Sequence, residues 1–137
     1  MKQLPESDNS LVIRTDFSDD EVWRKVRDQL AAPVGDFRAY VDFVDDRDYD
    51  GLTIDQLVEL GESSKSFVFL ADSETMTNPE HPALVVDLLH EPGRTFRVIP
   101  SEMWSVENNL SLCNMDWEDF SSNLDSNGTH RGFDELQ

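Results

Sequence analysis

Asp46-Arg47-Asp48-Tyr49-Asp50-Gly51 places carboxylates at alternate positions and closes on glycine, the order in which a calcium-binding EF-hand loop begins. Asp46, Asp48 and Asp50 would be its first ligands. Two features count against that chemistry. A strand pattern rather than a helix leads into the stretch, and the twelfth position from Asp46 is Leu57, where the loop needs a bidentate Glu. The exit side reads instead as a helix start. Thr53 and Gln56 form a capping box, Leu52 and Leu57 a hydrophobic staple, and Ile54, Leu57 and Val58 an apolar stripe that stops at Gly61. The stretch is therefore expected to be a strand-to-helix turn, with Gly51 free to take positive φ. The sequence calls for no metal and no cofactor.

A second constellation emerges if the first three strands are parallel, because their carboxyl ends then share the sheet edge at which α/β proteins bind ligands. Asp16, Asp19 and Asp20 follow the first strand, Asp45 and Asp46 the second, and Asp72 ends the third. Such an acidic rim could hold a hard cation or dock a basic group, and it could equally cap the helix N-termini that lie at the same edge. The layout resembles phospho-acceptor receiver domains in these acids. It departs from them in its fifth strand, which ends in Arg97-Val98-Ile99-Pro100 where a receiver carries a Lys.

A third candidate is an aromatic and polar patch in the segment from Pro100 to Asn109. As a helix it turns Met103, Val106 and Leu110 inward and presents Trp104 with Glu107, Asn108 and Ser111 on the opposite face, a composition suited to a protein interface. The last helix could instead cover Trp104 through Trp117 or Phe133. Nucleophilic catalysis finds no support. There is no G-x-S-x-G elbow and no phosphate-binding glycine loop. Cys113 falls on the apolar stripe of its helix, His81 and His90 lie in turns and are expected at the surface, and with His130 the three histidines are too scattered for a zinc motif. No catalytic residue is assigned.

The elements that must position these groups follow from periodicity. Leu11–Phe17 reads as a strand, and Ser18 with Glu21 as the capping box of a helix whose stripe is Val22, Trp23, Val26 and Leu30. Phe37–Val44 alternates as a half-buried strand, and Ser66–Asp72 is apolar throughout, as a strand covered on both faces would be. Ala83–Leu89 and Thr95–Ile99 flank a Pro92-Gly93 turn and form an antiparallel hairpin. Two helices follow, the second capped by Asp116. The expected fold is a single-domain α/β sandwich of two or three layers on a mixed sheet of about five strands. A strand-helix-strand-helix-strand parallel start leads to the hairpin and the C-terminal helices. Residues 1–9 are expected to be a flexible N-terminus, 10–125 the domain, and 126–137 a polar tail partly packed through Phe133.

The chain has 137 residues, the length of one ordinary domain, and a formal net charge of −18 from 29 acidic and 11 basic residues. Seven basic residues stand against thirteen acidic ones up to Asp50 and four against sixteen beyond it, so no single tail holds the charge. A field of this sign repels phosphate backbones and anionic bilayers, which argues against direct nucleic-acid or membrane binding. A hydrophobic content of 38%, with eight Phe and three Trp, sets the chain apart from disordered acidic sequences. Cys113 is the lone cysteine, which excludes an internal disulfide and CxxC-type metal motifs. No run approaches the roughly eighteen apolar residues of a membrane span, so a cytoplasmic location is expected.

Several stretches together resemble a family of short, acidic bacterial proteins classed as a domain of unknown function. They are LVIRTDFSDDEVW, VDFVDDRDYDGLT, FVFLAD, the long segment from His81 to Phe120 with its PSEMWSVENNLS core, and RGF near the end. The resemblance spans about Leu11 to Phe133 and implies a single-domain bacterial protein. It carries no activity or site. Charge, rim and Trp104 lead to the expectation of a non-enzymatic acidic binding protein, of immunity or inhibitor type, that docks a basic protein partner. The alternatives are a divalent-cation-dependent enzyme or regulator using Asp16, Asp45, Asp46 and Asp72, and a nucleic-acid mimic.

Overall fold

The structure is a computed structural model and describes residues 3–60 and 65–133. In chain order these form β1 (Ser10–Arg14), α1 (Asp20–Ala31), β2 (Val41–Val44), a 3-10 turn (Arg47–Tyr49) and α2 (Ile54–Leu60). Then come β3 (Phe67–Ala71), α3 (Ser73–Thr77), β4 (Ala83–Asp87), β5 (Thr95–Val98) and a 3-10 turn (Pro100–Glu102). The chain closes with α4 (Met103–Ser111), α5 (Trp117–Ser121) and β6 (Thr129–His130). One mixed sheet runs β2-β1-β3-β4-β5-β6. β1 is parallel to both β2 and β3, β4 is antiparallel to β3 and β5, and β6 is parallel to β5.

Side chains alternate across the strands, so the sheet divides the apolar residues into two layers. Val12, Phe69, Val85 and Val98 face α1, α4 and α5, where Trp23, Val26, Leu30, Met103, Val106, Trp117 and Phe120 complete one core. Leu11, Ile13, Val68, Leu70, Leu84 and Val86 face the other way, against Tyr49, Leu52, Leu57 and Leu60. The result is a three-layer α/β/α sandwich. β1, β3 and β4 are buried at every position because both of their faces are covered.

The expected mixed α/β fold is present with six strands rather than about five. β6 is two residues long and too short to carry a periodic signal. The second strand begins at Val41 instead of Phe37, because its partner β1 begins at Ser10, which pairs with Val41 and donates its amide to the Tyr40 carbonyl. Residues 34–37 turn away before that point, with Gly35 at φ +60° and a bridge between Val34 and Phe37. The cap of α1 is Asp19 rather than Ser18. Its carboxylate accepts from the Glu21 and Val22 amides, and a charged acceptor suits the positive end of a helix. The box at Thr53 forms as expected, with Gln56 Oε1 accepting from the Thr53 amide and Thr53 Oγ1 from the Gln56 amide. The stop expected at Gly61 lies outside the described residues.

α4 ends at Ser111, which removes Cys113 from the buried stripe. Cys113 is exposed with φ +58°, in the left-handed conformation that terminates many helices. His81, expected at the surface, is buried, and so is His130. His81 packs behind α3 with Nδ1 2.8 Å from the Thr75 carbonyl, and His130 lies against Phe120 and Phe133. At the N-terminus Leu4 is buried, and the Gln3 carbonyl accepts from the Tyr49 hydroxyl at 2.6 Å.

Candidate functional site

The acids that follow β1 and β2 gather around one side chain, Arg14. It ends β1, is 3% exposed, and spans Asp20 at 2.7 Å and Asp45 at 3.2 Å while its Nε donates to the Asp16 carbonyl at 3.0 Å. Its guanidinium also lies 4.3 Å from the Phe17 ring centroid and 5.3 Å from that of Trp23. Hydrogen bonding from Arg14 holds the Asp20 carboxyl below the usual range. Asp16 accepts from the Ser18 amide and hydroxyl, and Asp19 caps α1. Five of the six rim residues thus follow β1 and β2 as the sequence placed them.

Asp72 is held elsewhere. It caps α3 through the Thr75 amide and takes a two-pronged bond from Arg97 of β5, at 3.0 and 2.7 Å. Burial works to raise its pKa, but the bonds from Arg97 and Thr75 outweigh burial and leave it depressed. Asp46 caps the 3-10 turn by accepting from the Asp48 amide, and Asp50 follows that turn, so the Asp46, Asp48 and Asp50 stretch is a helical turn and not an open ion loop. Gly51, at φ +72°, donates its amide to the Thr15 carbonyl and ties the turn to the end of β1. Among the described residues no three His, Cys, Asp or Glu side chains are arranged to hold a metal ion.

The rim encloses what residue counting missed. Arg14, Arg24, Arg27 and Arg47 line a single pocket of about 400 Å³, together with Phe17, Trp23, Asp20 and Asp45. Arg14 comes from β1, Arg24 and Arg27 from successive turns of α1, and Arg47 from the turn after β2. Their separation in sequence hides the cluster, and the only local signal was the i,i+3 spacing of Arg24 and Arg27 on one face of α1.

The Trp104 patch also differs from expectation. Trp104 stacks on Phe37, with centroids 4.5 Å apart and planes 17° from parallel, so its cover is the 34–37 turn rather than the last helix. Glu107, expected on the solvent face, is buried. It accepts from Ser10 Oγ at 2.8 Å, the Tyr40 amide at 2.8 Å and Asn108 Nδ2 at 2.9 Å. Asn108 also donates to the Arg38 carbonyl. Both side chains therefore fasten residues 38–40 to α4. The exposed aromatic surface is displaced onto that segment, where Phe37 is 54% and Tyr40 51% exposed and Arg38 lies over the Tyr40 ring.

Fold and site define a single-domain mixed α/β protein whose sheet runs β2-β1-β3-β4-β5-β6, with polar networks at the strand ends. The chain belongs to the family described as Domain of unknown function (DUF6924), whose model matches residues 9–133. That agrees with the family resemblance read over residues 11–133. No curated protein matches the sequence. No helix among the described residues is long and apolar enough to cross a membrane.

Proposed function

We propose that the protein is a non-enzymatic, acidic binding protein of the cytoplasm that docks a basic protein partner, in the manner of an immunity or inhibitor protein. The observation that carries this reading is the aromatic platform of residues 34–40. Val34, Phe37 and Tyr40 stand exposed on a segment whose backbone is pinned by Glu107 and Asn108, and Leu112, at 68% exposure, lies on the rim of the cleft that Tyr40 lines. Exposed aromatic groups on a rigid support are what hot spots are made of, because little conformational freedom is lost on binding. Around them the −18 net charge favours a partner of opposite sign and hastens its approach.

The test is affinity capture from the native lysate with wild type and the Phe37→Ala/Tyr40→Ala variant, at low and high salt. The expected result is one basic protein that binds wild type, is released by salt, and is lost in the variant while the variant still unfolds cooperatively, its Tm lowered only by the lost Phe37–Trp104 stack. A partner of neutral or acidic character, or binding indifferent to both substitutions, would overturn the proposal.

A further inference from the structure

We infer that the pocket at the carboxyl ends of β1 and β2 binds a small molecule bearing a phosphate monoester. The inference stands apart from the basic-partner reading and uses a different face of the molecule. Four of the chain's 11 basic residues converge on this one cavity, and among the described residues its only acidic lining residues are Asp20 and Asp45. Four guanidiniums against two carboxylates leave the wall positive within a protein of net charge −18.

The two carboxylates are already engaged, both by Arg14. Among the described residues no carboxylate lies within 4 Å of Arg24, Arg27 or Arg47, although the surface around them is rich in acids. Arg47 instead shares the Phe17 ring with Arg14, their guanidinium carbons 5.2 and 4.3 Å from its centroid. Like charges brought onto one ring repel, and the arrangement is relieved by an anion between them.

Trp23, 2% exposed, contributes an apolar face to the same pocket, with the Arg14 guanidinium carbon 5.3 Å from its ring centroid. The chemistry favours phosphate over carboxylate. Guanidinium forks pair in two-pronged fashion with either group, but three of them without carboxylate partners offer more donors than the two oxygens of a carboxylate accept. A phosphate monoester brings three acceptor oxygens and about −1.5 to −2 charges. A cavity of about 400 Å³ has room for an organic body beyond the phosphate, against the apolar faces of Phe17 and Trp23. Asp20 and Asp45, the carboxylates of the lining, are both held by Arg14, and the role inferred is binding alone.

Phenyl phosphate and inorganic phosphate are the probes, with benzoate and matched sodium chloride as controls. At about ten times its Kd, phenyl phosphate should raise the wild-type Tm by roughly 4 °C above the chloride control. The variant Arg24→Gln/Arg27→Gln, whose side chains make no ion pair among the described residues, should keep its unliganded Tm and lose at least about tenfold in affinity. The Trp23 indole N–H resonance should move on adding phosphate to wild type, and Arg47→Gln supplies the comparison if the double variant folds poorly. No shift beyond chloride, an undiminished response in these variants, or an equal response to benzoate would each overturn the assignment.

Discussion

Asp87 and Glu107 are both buried carboxylates, and replacing each by its amide should have opposite consequences. Asp87, at the end of β4, accepts only from obligate donors. The Leu89 and His90 amides bond Oδ1 at 2.9 and 3.2 Å, and the Glu91 amide and Arg94 Nε bond Oδ2 at 3.0 and 2.7 Å. In Asp87→Asn one oxygen becomes an NH2 group, which must face two donors whichever way the amide is turned. Setting one buried amide left unpaired at about 1–3 kcal/mol beside the loss of a charge-assisted bond, which Arg94 softens by keeping Glu91 and Glu118, gives a cost of about 3 kcal/mol. Glu107 differs because one of its partners is the Ser10 hydroxyl, which can accept as well as donate. A Gln there can turn its NH2 towards Ser10 and its oxygen towards the Tyr40 amide, and the change should cost less than about 1 kcal/mol. Urea unfolding of both variants measures the difference directly. Equal costs for the two substitutions, or an Asp87→Asn variant within about 0.5 kcal/mol of wild type, would refute the donor-counting argument, since exposed changes lie in that range.

Two further perturbations read other parts of the fold. Burial pushes the His130 pKa below its ordinary 6.5, outweighing a hydrogen bond to the Asn123 backbone that works the other way. The unfolded chain therefore binds the proton more tightly, so stability is complete above about pH 6.5 and is lost as pH falls towards the folded value. Asp72 and Asp87, both depressed below 3.8, add a second loss under more acid conditions. His130→Phe should remove the first phase and leave the second, and an unchanged urea midpoint profile between pH 7 and 5 would contradict this. Gly132 has φ +102°, and a Cβ there would stand 3.2 Å from the Glu102 carboxyl carbon. Gly132→Ala should cost about 1–3 kcal/mol, read as a Tm drop of several degrees, and a neutral result would mean that the segment after β6 adds little to stability.

What could be read from the chain was local. The Thr53–Gln56 box, the Pro92-Gly93 hairpin and the apolar β3 each depend on residues within a few positions of one another, and all three are present. What could not be read depends on partners brought from afar. Glu107 is one position beyond Val106 on the helical wheel, and nothing in α4 shows that Ser10 and Tyr40 will arrive to bury it. The same is true of Arg14, which alternation places on β1 but whose neighbours Asp20 and Asp45 are six and thirty-one residues away. The rim was legible as a set of carboxylates because they occur in runs. The arginines between them were not, because a single net charge averages them away.

That averaging matters for how the two proposed surfaces coexist. At physiological ionic strength the field of distant charges decays over about 8 Å, so the −18 total governs approach and the nearest few groups govern contact. On the proposed reading a basic protein would be drawn in by the long-range field and would settle on the aromatic platform, with added salt slowing that approach. A phosphate would be repelled at a distance and, on the inference above, held once inside the pocket lined by Arg14, Arg24, Arg27 and Arg47. Screening therefore hastens its approach while weakening its grip. The acidic surface then acts as a filter on the arginine site. On that proposal polyanions such as nucleic acids, which would have to lie across the surrounding carboxylates, would be turned away, and a compact anion that fits within the four arginines would be admitted.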